Sequence, residues 1–170
     1  MDTLYKNYHF FNYGWLIKYS PGHKVEYLSD RDYADVALNC GAGLVRNNIT
    51  PYGEAGIFLM NSGRKGRDAS HPFLHLSTSA YFLFNQDSKG NYLVNDNWFL
   101  NASIGEATNT STLSMGAGYL YYSKGNYFTG TTLKVFIDIK LVKNGLTITP
   151  ELISTNNFKQ IFPGLTLKAF

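Results

Sequence analysis

His75 and Ser77 stand one residue apart in the run His75-Leu76-Ser77, and by type and spacing they suit nucleophilic chemistry. On an extended chain they share a face, with Cα atoms about 7 Å apart. An imidazole leaning toward the hydroxyl can take its proton, provided a carboxylate orients the ring. Asp87 after the run, or Asp68 before it, would supply that carboxylate. The structural alternative is a histidine and a serine on a strand's polar face, hydrogen bonded to their neighbours. Arg64, Lys65 and Arg67 crowd one short stretch, which suits contact with lipid phosphates or simple solvation. Lys134, Asp138, Lys140 and Glu151 form a third group, whose opposite charges can compensate one another between adjacent strands.

Other chemistry is poorly served. The chain has no metal-ligand spacing, and Gly116-Ala117-Gly118 falls inside a strand pattern, so it is no dinucleotide turn. We expect no metal and no cofactor. The net charge of +3 comes from scattered basic residues, which leaves no footprint for nucleic acid. The single cysteine, Cys40, excludes an internal disulfide and lies on an apolar face, where it reads as a small hydrophobe.

The elements that must position these groups are strands. Leu133, Val135, Ile137, Ile139 and Leu141 alternate with Thr132, Lys134, Phe136, Asp138 and Lys140, a period of two. Comparable runs occupy 10–19, 34–46, 52–61, 72–85, 92–105, 112–123, 146–154 and 161–170, and Gly, Asn, Asp, Ser and Pro bound them. Residues 47–51, ending in Pro51, predict one turn, and Asn144-Gly145 predicts a tight hairpin. Residues 4–15 also suit a short amphipathic helix. A chain of 170 residues supports one domain with a sizeable core. The expected fold is all-β: an antiparallel up-and-down β-barrel of eight strands and membrane type. Residues 1–170 form this single domain, with 1–9 as a peripheral N-terminal segment.

Two barrels share this alternation. A soluble barrel turns its apolar residues inward around a ligand cavity, and a membrane barrel turns them toward lipid. Charged residues make up only 16% of the chain, below the usual quarter, and the runs are nine to fourteen residues long. A tilted strand needs about 9–11 residues to cross a bilayer, so length favours the membrane form. The polar face mixes Gly41, Gly43, Gly116, Gly118, Ser103 and Ser114 with Asn39, Asn101, Lys134, Asp138 and Glu151, as the filled lining of a small barrel would. The N-terminus lacks the charged and apolar blocks of a secretory signal, so export would require a leader outside this sequence.

Asn39-Cys-Gly-Ala-Gly-Leu44, Pro51-Tyr-Gly-Glu-Ala-Gly-Ile57, Ser114-Met-Gly-Ala-Gly-Tyr119 and Phe162-Pro-Gly-Leu-Thr-Leu-Lys-Ala-Phe170 carry a generic likeness over most of the chain. It resembles the small outer-membrane β-barrels of Gram-negative bacteria, the OmpX-like and opacity-type barrels and the lipid A modifying barrels. That resemblance implies a terminal aromatic residue with apolar residues at alternate positions before it. Phe170 fits, whereas Lys168 and Thr166 stand where apolar residues are expected. The His75-x-Ser77 pair is similar to that of the lipid A 3-O-deacylases (the PagL family), although here it precedes the midpoint of the chain and continues Thr78-Ser79-Ala80. His23 with Asn61-Ser62 is similar to the palmitoyltransferase (PagP family) arrangement, without its Asp.

The expected function is therefore that of an outer-membrane barrel at the lipopolysaccharide layer. Its sharpest form is lipid A acyl-ester hydrolysis by His75, Ser77 and Asp87, with lipid phosphate held by Arg64, Lys65 and Arg67. The expected partners are lipid A or another membrane lipid. One alternative is a non-enzymatic outer-membrane barrel for envelope stability or adhesion. Another is a soluble barrel holding an apolar small molecule among Leu133, Val135, Ile137, Leu113 and Met115.

Overall fold

A computed structural model describes residues 33–60, 70–86, 90–108, 111–141 and 145–169, together with the short pair Ile17–Lys18 (β1) and Glu26–Tyr27 (β2). Eight further strands follow: β3 (Tyr33–Val45), β4 (Asn48–Met60), β5 (His71–Gln86), β6 (Tyr92–Ala107), β7 (Ser111–Ser123), β8 (Leu133–Leu141), β9 (Leu146–Thr155) and β10 (Gln160–Ala169). Each pairs antiparallel with its sequence neighbour, and β10 closes the sheet on β3. The fold is thus an all-β closed barrel of eight antiparallel strands. The first expected run, 10–19, contributes only Ile17–Lys18 to the described residues, and these pair with Glu26–Tyr27 outside the barrel sheet.

One expected boundary is corrected. β3 and β4 join through Arg46 and Asn47 alone, both with positive φ, rather than through 47–51. A two-residue hairpin needs that left-handed geometry, which asparagine tolerates better than most residues. Pro51 lies inside β4, one residue before β4 begins to pair with β5 at Tyr52↔Tyr81. Its missing N–H therefore removes no ladder bond on that side. Pro72 and Pro163 likewise lie just beyond one of their ladders, and the β8–β9 ladder skips the position opposite Pro150.

Alternation decides which face is inside. Val135 is 53% exposed on the outer wall, whereas its neighbour Lys134 is 3% exposed in the lumen. Leu133, Ile137, Leu113 and Met115 share the outer wall with Val135. The expectation that these five line an internal apolar cavity is therefore overturned: their period places them all outside. Cys40 is on the outer wall too. The inner wall carries Asn39, Ser77, Asn101, Ser103, Lys134, Asp138 and Glu151, all buried.

Large inner side chains lie across glycines of nearby strands, one or two strands away. A Cβ on Gly43 would stand 2.8 Å from the Tyr81 ring, and one on Gly116 would stand 2.6 Å from Phe136 Cζ. Only a bare Cα leaves room for these rings. Gly-rich inner positions thus let a narrow barrel fill with bulky residues.

Candidate functional site: the filled lumen

One polar network crosses the lumen and touches every barrel strand. Ser77 Oγ donates to Glu54 Oε1 at 2.6 Å, and Asn39 Nδ2 donates to Glu54 Oε2 at 3.3 Å. Asn101 Nδ2 donates to Ser79 Oγ at 2.9 Å and to Ser77 Oγ at 3.3 Å. Lys134 Nζ reaches Tyr81 Oη at 3.3 Å and pairs with Glu151 at 3.5 Å. Tyr81 Oη donates to the Glu151 carboxylate, which also accepts from Thr166 Oγ1. Lys168 Nζ bridges Glu54 at 3.2 Å and Asp138 at 2.8 Å, and Thr149 Oγ1 donates to Asp138. Ser114 Oγ donates to the same carboxylate from β7.

The expected compensation among Lys134, Asp138, Lys140 and Glu151 takes a different pairing. Lys134 meets Glu151, but the cation on Asp138 is Lys168, which enters from β10. Glu54 is the third buried carboxylate among the described residues. Buried charges in such a confined space are tolerable only when paired and hydrogen bonded, which this network accomplishes. Lys168 and Thr166 thus depart from the expected apolar C-terminal pattern because they serve the lumen. Their outward neighbours Leu165 and Leu167 supply the apolar face. The β10 register is continuous on both sides through Ala169, so no bulge shifts the phase. Phe170 lies outside the described residues.

Apolar clusters close the network from both directions. Toward the end opposite the start of β3 and the end of β10, Phe128 folds in from the β7–β8 connection. Its ring meets Phe99 edge-on at 5.6 Å and stacks on Phe162 at 6.3 Å. Toward the other end, Phe58, Met60, Phe73 and Ala107 cluster, and Phe58 stacks on Phe73 at 4.4 Å. Aromatic residues thus pack against the polar network at both ends.

His75 and Ser77 are both buried on the inner wall, as their shared face requires. The expected pair is not assembled, because Ser77 gives its proton to Glu54, and His75 Nε2 has no hydrogen-bond partner among the described residues. The His75 ring instead lies 6.0 Å from that of Phe58, and a Cβ on Gly56 would meet its Nε2 at 2.7 Å. What this arrangement does chemically is hold charge and polarity inside the wall. Asp87, Asp68, Arg64, Lys65, Arg67, His23 and Asn61-Ser62 lie outside the described residues. Met60 and His71, the strand ends on either side of the segment carrying Arg64, Lys65 and Arg67, lie at the barrel end where β3 starts and β10 finishes.

Sequence reasoning missed Glu54 and Lys168. Their signal was position: both stand on inward phases of otherwise apolar strands. The chain matches no protein-family model, no curated protein and no solved structure.

Proposed function

We propose that the protein is a transmembrane β-barrel of a Gram-negative outer membrane, non-enzymatic, with a filled lumen and a lipid-facing wall. One observation carries the reading: among the described residues, the outward positions of the eight barrel strands carry charge only at Asp96 and Glu106, near opposite ends of β6. Between those limits the outer wall is Leu, Ile, Val, Ala, Met and aromatic residues with Gly, Pro, Cys40, Thr78 and Ser154. A water-facing wall of this extent would be an apolar surface far larger than soluble monomers expose. The shortest barrel strand has nine residues and the longest sixteen, enough to cross the hydrocarbon core when tilted. Tyr119, Tyr121 and Tyr122 stand exposed at one end, as an interfacial belt would. The outward hydroxyl of Thr78 is bonded to Tyr121 Oη at 3.0 Å, which spares an unpaired polar group in lipid.

The same geometry supports a structural role at the lipopolysaccharide layer over ester cleavage. An acyl ester would have to reach a buried hydroxyl already held by Glu54. Refolding with and without micelles, followed by circular dichroism and size exclusion, tests the membrane reading. Folding only in micelles is expected; a folded monomer in plain buffer would overturn it.

A further inference from the structure

We propose that Arg46 and Lys159 form a binding site for the phosphate of an anionic lipid headgroup, at the rim opposite the start of β3. This rests on the membrane reading for its choice of lipid, and on the rim geometry for its choice of anion.

Among the described residues, Arg46 is a preorganised cation without a counter-ion. Its guanidinium carbon lies 4.2 Å from the Phe162 ring centre and 5.4 Å from that of Tyr127. Nη2 donates to Gln160 Oε1 at 2.6 Å, and Nη1 donates to the Tyr127 carbonyl at 3.4 Å. Tyr127 is itself anchored, its hydroxyl donating to the Val45 carbonyl at 2.6 Å. Both of its acceptors among the described residues are neutral, and no carboxylate among those residues pairs with it. A guanidinium has five N–H donors, so most of its fork remains to be filled, and phosphate oxygens match that geometry.

Lys159 adds a second positive charge. It directly precedes Gln160, the residue bonded to Arg46, and is exposed in the β9–β10 turn. The outward tyrosines Tyr119, Tyr121 and Tyr122 lie at the same end of the barrel. Such residues settle at the headgroup level, so the two cations would stand where lipid phosphates lie. The site differs from the Arg64, Lys65 and Arg67 cluster, whose flanking strand ends Met60 and His71 lie at the other end of the barrel.

The test uses the full chain in dodecyl maltoside micelles, which contain no phosphate, titrated with phosphatidylglycerol. The Arg46 side-chain N–H signal is followed by NMR, and retained lipid is counted by native mass spectrometry. A saturable shift is expected in the wild type. Lys159→Gln, at an exposed turn, and Arg46→Gln should each weaken apparent affinity about tenfold. The triple variant R64Q/K65Q/R67Q should retain wild-type affinity. Unchanged affinity in both single variants, or loss in the triple variant alone, would overturn the assignment. Inorganic phosphate is titrated in parallel. If it shifts Arg46 as strongly as the lipid at equal concentration, the ligand is free phosphate and the lipid assignment fails. Should the chain prove folded without micelles, the membrane reading fails, and the inorganic phosphate titration alone decides whether the anion site stands.

Discussion

Lys168 on β10 reaches Asp138 on β8 across the intervening β9, with Nζ 2.8 Å from Oδ1. The same ammonium lies 3.2 Å from Glu54 on β4, two strands away in the other direction. One side chain therefore ties together an arc of five strands that includes the closure between β10 and β3. Lys168→Met should strand two buried carboxylates and cost about 3–5 kcal/mol. Urea unfolding in micelles measures it; a loss below about 1 kcal/mol would show that the bridge contributes little to closure.

The barrel, its strand count and its alternation were legible because period two is imposed directly by the pleat. Leu133 to Leu141 displays it without interruption. The pairing inside was not legible. Lys168 and Asp138 are thirty positions apart in sequence, and only the β8–β9–β10 ladders bring the cation over that carboxylate, while closure of β10 on β3 carries it to Glu54. The Pro51 turn was misplaced for a related reason: proline signals a break locally, but its tolerance depends on where a neighbouring ladder begins. Likewise, the spacing of His75 and Ser77 correctly gave a shared face. Ser77's partner, Glu54, comes from the adjacent strand and could not be read from that spacing.

The glycine seats predict a rescue. Gly116→Ala places a methyl group where Phe136 Cζ lies 2.6 Å away, and should destabilise the barrel by about 1–3 kcal/mol. Combined with Phe136→Leu, the second change should cost less than it does alone. A double-mutant cycle read from urea midpoints checks this, and strict additivity would show that the Ala102 carbonyl oxygen, 2.5 Å from the same Cβ position, sets the cost instead of the ring.

Ser77→Ala separates the structural role from the enzymatic one. Its hydroxyl supplies a hydrogen bond to buried Glu54, so its loss should destabilise by about 1–3 kcal/mol. Lipid A mass spectra should be the same for cells carrying the wild type, Ser77→Ala or His75→Ala, or lacking the protein. A deacylated species that appears with the wild type and vanishes in both variants would restore the acyl-ester chemistry.

The outer wall offers a prediction whose sign depends on the surroundings. Val135 is exposed on the outer wall of β8, flanked across the ladders by Ala117 and Leu152. In water, replacing an exposed valine with arginine would relieve an apolar patch and change stability by no more than about 0.5 kcal/mol. In a bilayer the same change places a cation against hydrocarbon, at about 2–4 kcal/mol near the midplane. Lys134→Val, one residue away, tests the other wall. It replaces the cation that pairs with Glu151 and should destabilise in either surrounding. Measuring both variants in phosphatidylcholine vesicles therefore separates the lipid-facing effect from the luminal one. Equal stability of Val135→Arg and the wild type there would place the apolar wall against something other than lipid.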